Sequence, residues 1–364
     1  MPVPELVVIA EQLLAPVPGG TGRYTAELLR ALAATVPEGW RVASAVARRA
    51  DVEAARVEGV TGPRALPLPP RALVAAWQAG VPLWPGGDAV HAPTPLAPPR
   101  APRGRGLAVT VHDTVPWTHP GTLTPRGVRW HRAMIARAAE RAGALLVPTE
   151  AVAADLAARV RTVAPMHVAG HGVTDLPDDP AARPPDLPSR YVLALGTLEP
   201  RKGLDVLIAA MREVPDVPLL LAGQPGWGGL DPAALAREHG VDPGRVRVLG
   251  RVPDAGLAAV LRGASVLAVP SLAEGFGLPL LEGMALGVPV VHSDAPALVE
   301  VAGGAGRVVP RGQAPALAAA LRAVLTDPGL AARMSTLGRQ RAEAFTWRAA
   351  AERVWSVHLG LRRV

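Results

Sequence analysis

Cysteine is missing from this 364-residue chain. That excludes disulfides and thiolate-bound metal, and it fits a reducing, cytoplasmic setting. Only 3% of the residues are aromatic. They form no run on which unpaired bases could stack, so nucleic acid is not expected as a partner. No apolar run reaches the ~20 residues of a membrane-spanning helix. The opening Met-Pro-Val-Pro-Glu has no basic stretch before Leu6–Ala10, so no signal peptide is expected. Lysine is almost absent: Lys202 stands alone beside 37 arginines. The two residues are not interchangeable at phosphate sites, so the one compact ammonium marks a place where a point charge is needed.

The rest of the chain is apolar and punctuated. Apolar residues make up 49%, which at this length suffices for two cores. The 40 prolines and 38 glycines fall between apolar runs rather than in one block. Strands are expected at Leu6–Ala10, Arg41–Ala47, Ala89–His91, Leu107–His112, Ala144–Pro148 and Met166–Ala169. A second series is expected at Tyr191–Gly196, Val217–Gly223, Val246–Gly250, Val266–Val269, Val288–His292 and Gly306–Val309. Helical patterns such as Tyr24–Ala34, Arg129–Ala142, Leu204–Glu213, Leu257–Arg262 and Pro279–Leu286 separate them. This alternation predicts an α/β chain with two doubly wound parallel sheets. Residues 1–177 would form the first domain, 189–345 the second, and the proline- and aspartate-rich 178–188 the linker. A Trp-containing amphipathic helix, Phe345–Arg363, follows without a strand partner. Such domains hold ligands at the carboxyl ends of their strands, which nominates the loops Pro18–Tyr24, Gly196–Gly203 and Ser271–Gly277.

The net charge of +7 is unevenly placed. Between residues 60 and 145, ten arginines oppose only Asp88, Asp113 and Glu140, and Trp77, Trp84, Trp117 and Trp130 share the window. The spacing from Arg126 through Arg129 and Trp130 to Arg137 brings several of these residues onto neighbouring faces of one helix, which suits an anionic membrane surface. The plainer reading is a solvated face over core tryptophans.

Gly19-Gly20-Thr21-Gly22-Arg23-Tyr24 opens a helix, where glycines and free N–H groups can approach a phosphate; a plain tight turn would look the same. Arg201 and Lys202 open the first helix of the second domain. That is the unfavourable helix end for cations, so an anion is expected beside them. Glu274 and Glu282 lie eight positions apart around a Gly-Phe-Gly turn. Glu282 is set among Leu280, Leu281 and Met284 and needs a partner or an exposed mouth; ribose hydroxyls would serve. His112, at the end of a buried strand, could donate to a sugar or phosphate oxygen.

Taken together, these residues resemble the retaining family-4 glycosyltransferases of GT-B fold. The likeness covers most of the chain. It is strongest at Gly-Thr-Leu-Glu-Pro-Arg-Lys-Gly (196–203), Leu-Gly-Arg-Val-Pro (249–253), Glu-Gly-Phe-Gly-Leu-Pro-Leu-Leu-Glu (274–282) and Val-His-Asp-Thr-Val-Pro-Trp-Thr-His-Pro (111–120). The resemblance implies two Rossmann-like domains facing across a cleft, the first for the acceptor and the second for a nucleotide-sugar. The helix 346–364 would pack back on the first. It further implies that Glu274 contacts the donor sugar and that Phe276, Gly277 and Leu278 bind sugar and phosphate through their backbone. Arg201 and Lys202 would bind the diphosphate, Glu282 the ribose, and Gly19 and Gly20 would close over the pyrophosphate. Gly196, Thr197, Arg251 and Val252 would complete the donor site, and His112 would lie at the donor sugar beside the acceptor.

The branch resembled most is mannosyltransferase-like, although Gly203 stands where asparagine is common. The implied enzyme is cytoplasmic, peripheral at the inner membrane face, and free of cofactor and metal, in keeping with the absence of an Asp-x-Asp pair. It would move a hexosyl group, mannose from GDP-mannose first, with UDP-glucose or UDP-N-acetylglucosamine behind, to a hydroxyl of a glycan or glycolipid. A glycosyl phosphorylase or nucleotide-sugar epimerase on the same fold is the alternative. A basic nucleic-acid-binding module is more distant, because the paired glutamates would repel a phosphate backbone.

Overall fold

A computed structural model describes residues 3–361 apart from 178, 183, 185, 215, 216 and 227. The first sheet contains β1 (Glu5–Ile9), β2 (Arg41–Val46), β3 (Thr61–Ala65), β4 (Ala89–Ala92), β5 (Gly106–Thr110), β6 (Ala144–Val147) and β7 (Met166–Val168), in the order β3-β2-β1-β4-β5-β6-β7. The second contains β8 (Val192–Leu195), β9 (Leu219–Ala222), β10 (Val246–Gly250), β11 (Val266–Val269), β12 (Val290–Ser293) and β13 (Arg307–Val309), in the order β10-β9-β8-β11-β12-β13. All pairings are parallel, as between β1 and β4 or β8 and β11. Central strands such as Leu-Val-Val-Ile in β1 and Val-Leu-Ala-Val in β11 are buried throughout. Burial on both faces is why they read as continuous apolar runs instead of alternating ones.

Chain contacts divide the protein into two units. The first comprises the residues up to Pro120, 124–172 and those from Thr346 on; the second comprises 121–123 and 173–345. Each has its own core. The first gathers Val7, Val90, Val109, Leu145 and Trp77, the second Val192, Leu219, Val266, Val291 and Leu207. The helix Trp347–Leu361 belongs to the first unit, where it packs on the helix Gly19–Ala34 and on β5.

Several details differ from the sequence reading. β3 was not expected, because Thr61-Gly-Pro-Arg-Ala carries a glycine and a proline; it is an edge strand, where a missing N–H is tolerated. The first long helix begins at Gly19 rather than Tyr24, so the glycine run is its first turn. Of the expected linker, 178, 183 and 185 lie outside the described residues. Two of its other residues are held within the second unit. An Arg247 guanidinium N–H donates to the Asp186 carbonyl at 2.8 Å. Gly256 lets its helix approach the Ala182 carbonyl, which a Cβ would meet at 2.7 Å. Among the described residues no helix is long and apolar enough to cross a membrane. Arg137 is not free for a membrane face, since it donates to the carbonyls of Trp77 and Gln78 at 2.6 and 2.8 Å. Trp130 is half-buried and packs on the first core, while Arg126 and Arg129 are exposed.

Candidate active site

In the second unit the strand order reverses between β8 and β11, which opens a crevice at their carboxyl ends. The loops leaving these two strands carry the residues singled out by the sequence. After β8, Gly196 (φ +129°) turns the chain and Pro200–Lys202 forms one tight helical turn. Gly203 (φ +66°) then caps the helix Leu204–Ala210, and a Cβ there would sit 2.3 Å from the Pro270 carbonyl oxygen. Glycine at 203 is therefore set by close packing against the β11 loop. The two loops are joined by the Leu272 N–H, which donates to the Arg201 carbonyl at 2.8 Å.

The side chains converge there. Lys202 Nζ donates to Glu274 Oε1 at 2.6 Å, and Ser271 Oγ donates to the same oxygen at 2.8 Å. Arg201 reaches the Ala273 carbonyl at 2.8 Å, Glu199 Oε1 at 2.7 Å and Glu274 Oε2 at 3.5 Å. Burial alone would raise the Glu274 pKa, but attraction to Lys202 and Arg201 and the hydrogen bonds from Lys202 and Ser271 outweigh it and hold it at about 2. Lys202 lies along Gly196, whose Cβ, if present, would stand 3.5 Å from Lys202 Cε.

Gly277 (φ +94°) starts the helix Leu278–Ala285 and lies against Leu298, 2.4 Å from where a Cβ would be. The Phe276 ring packs edge-on to Phe345, so it serves the core. Glu282 is only 4% exposed, flanked by the fully buried Leu280 and Leu281. A solvated surface glutamate is thereby excluded. Thr197 is half-buried beside Gly226. Arg251 and Val252 follow β10, at the edge of the sheet two strands from β8, and Arg251 is exposed.

In the first unit the order reverses between β1 and β4. The loops after β1, β4 and β5 line a cavity of about 370 Å³ with Gln12, Thr21, Thr94, His112 and Asp113, and Trp130 and His131 form part of its wall. Gly19 and Gly20 are exposed in the first helical turn. His112 Nε2 lies 2.7 Å from the Pro93 carbonyl. A carbonyl only accepts, so this nitrogen carries the ring proton. Burial lowers the His112 pKa, against the Pro93 hydrogen bond and Asp113. The neutral ring thus spends its N–H on Pro93 and offers Nδ1 as a lone-pair acceptor, not as the donor expected.

Sequence reasoning missed what surrounds His112. Tyr24, fully buried, packs edge-on to it at 4.6 Å and against His171 at 4.5 Å. Burial pushes the Tyr24 hydroxyl up to about 12, although its bond with Thr110 opposes this. Tyr24, Thr110, His91 and His358 form a buried polar chain with steps of 3.2, 3.2 and 3.4 Å. Only Tyr24 carried a signal, as the end of the glycine motif.

Two all-parallel, doubly wound units, the second with paired cations and a buried glutamate at its switch point, define a GT-B protein. Residues 18–175 match glycosyltransferase family 4 and residues 189–327 match the glycosyl transferases group 1. The chain belongs to this family of glycosyltransferases. It is 38% identical over 162 residues to the O-antigen chain mannosyltransferase B of Escherichia coli, covering 43% of this chain and 42% of that protein. It is 38% identical over 177 residues to a phosphatidyl-myo-inositol mannosyltransferase of Mycolicibacterium smegmatis, covering 46% and 45%. The chain thus spans less than half the length of these curated relatives. Its fold is similar to that of a sucrose-phosphate synthase from Thermosynechococcus elongatus, with a TM-score of 0.78, 24% identity, and 98% and 99% of the two chains covered.

Proposed function

We propose that this protein transfers a hexosyl group, with retention and without a metal ion, from a nucleotide-diphospho-sugar to a hydroxyl of a glycan or glycolipid. The observation that carries this reading is the cluster at the second switch point. Arg201 and Lys202 are held in place by Glu199 and Glu274 at 2.7 and 2.6 Å. Cations fixed in advance lose little freedom when a diphosphate arrives, and they meet the charge that develops as it departs. Glu274 would then accept hydroxyls of the donor sugar, and Glu282 the ribose. In the transfer, the bond from the anomeric carbon to the phosphate oxygen breaks and the bond to the acceptor oxygen forms on the same face. The acceptor proton passes to the departing phosphate oxygen. The mannosyltransferase relatives favour mannose as the sugar, and GDP-mannose is the donor proposed first.

The test is a thermal-shift screen of nucleotide-sugars followed by a transfer assay. A ligand at 100 times its Kd adds about 2.7 kcal/mol of stability, easily read as a shift. Product with the donor's anomeric configuration, seen by NMR, supports the proposal. Inversion, dependence on free phosphate, or conversion of the nucleotide-sugar without any acceptor would sink it.

A further inference from the structure

The cavity of the first unit is unlike the chain around it. The protein carries a net charge of +7, yet the cavity wall holds Glu11 and Asp113 and neither lysine nor arginine. Glu11 is paired with Arg49, which is not part of the wall, and accepts the Ala47 N–H at 2.9 Å. Among the described residues, the hydrogen bond that Asp113 accepts comes from the backbone N–H of Val115, at 3.0 Å. Burial, the largest cause, lowers the pKa of both His112 and His131, so neither brings a cation at neutral pH. Gln12, Thr21 and Thr94 add uncharged polar groups, and Trp130 adds an aromatic surface. The volume of about 370 Å³ lies within the range of small-molecule sites.

We propose that this cavity receives an uncharged pyranose, the terminal sugar of a neutral glycan acceptor, and rejects acceptors that present a phosphate there. The inference rests on the transferase reading above. A carboxylate accepts hydroxyl hydrogens and an aromatic face covers the apolar face of a sugar ring. A phosphate would instead be brought beside a carboxylate with no cation in the wall to offset it, and like charges brought together suppress the wrong partner.

Matched probes test this with the full-length protein: methyl glycosides of mannose, glucose, galactose and N-acetylglucosamine, each beside its 6-phosphate. Ligand-observed NMR titration should show at least one neutral glycoside binding about tenfold more tightly than its phosphate. Added salt should strengthen only the phosphate, by screening repulsion. Asp113→Asn should weaken the neutral member and tighten the phosphorylated one. Equal or tighter binding of the phosphates in the wild type, an unchanged ratio in Asp113→Asn, or no binding of any neutral glycoside would each overturn the proposal. A thermal shift with nucleotide-sugar separates the two readings. If it appears while the sugar result fails, only the acceptor inference falls; if no nucleotide-sugar stabilises the protein, the transferase reading falls as well.

Discussion

Lys202 is the side chain on which most depends. It donates to Glu274 at 2.6 Å and lies along Gly196, a glycine whose φ of +129° disfavours any side chain. Replacement by alanine should lower kcat by roughly 10²–10³, as loss of one preformed donor to a charged leaving group does. Lys202→Arg should also be impaired, since a planar fork does not fit a slot shaped for a compact ammonium. Turnover near wild type in Lys202→Arg would show that the lone lysine is an accident of composition. Glu282 makes a different prediction. Glu282→Ala should raise the donor KM about ten- to a hundredfold, from roughly 1.5–3 kcal/mol of charged hydrogen bonding, and leave the acceptor KM nearly unchanged. Both constants moving together would make Glu282 a packing residue.

The helix Trp347–Leu361 is fastened to the first unit by buried polar contacts as well as by packing. Trp355 Nε1 donates to the Leu32 carbonyl at 3.2 Å, Trp347 stacks on His171 at 5.8 Å, and His358 meets His91 at 3.4 Å. Burial lowers the His358 pKa to about 3, and burial, together with the cost of protonating it beside His112, lowers that of His171 to about 3 against the Gly170 carbonyl hydrogen bond. The unfolded chain, with histidine near 6.5, binds these protons first. Stability is therefore fully present above pH 6.5 and is lost as the pH falls from there toward 3, by about 1.4 kcal/mol per pH unit for each histidine. Thermal unfolding followed between pH 7 and 4 should show this loss, and His358→Leu should flatten it relative to the wild type. Equal pH slopes in both proteins would mean that His358 is not a buried neutral base.

For the protein as a whole, the proposed function has the charge of a departing diphosphate met by side chains already fixed at one switch point. Transfer should therefore continue unchanged in excess EDTA. Activity lost to the chelator and restored by Mg²⁺ or Mn²⁺ would reveal a metal dependence that Arg201 and Lys202 do not replace. The same arrangement explains how a chain with net charge +7 keeps its cations useful. Glu199 and Glu274 balance Arg201 and Lys202 where the anion is expected, while Arg137 is spent on the carbonyls at the end of a helix.

Short apolar runs and the residues between them were enough to read two parallel sheets, because a strand buried on both faces announces itself locally. The Arg201-Lys202 loop and the Glu274–Glu282 element were legible for the same reason: each is a contiguous motif at a strand end. β3 was hidden by its glycine and proline, and the start of the first helix by glycines with low helical propensity. No local pattern could show that Lys202 and Glu274, 72 positions apart, share one hydrogen bond. Nor could it show that His358 closes a polar chain with His91 across 267 positions. Those pairings follow from strand order, which brings β8 beside β11 and β4 beside β5. The direction of the His112 proton depends on the Pro93 carbonyl opposite it. The lack of cations in the first unit's cavity depends on which loops the sheet gathers around it. Burial and long-range neighbours set these properties, and only the folded chain supplies them.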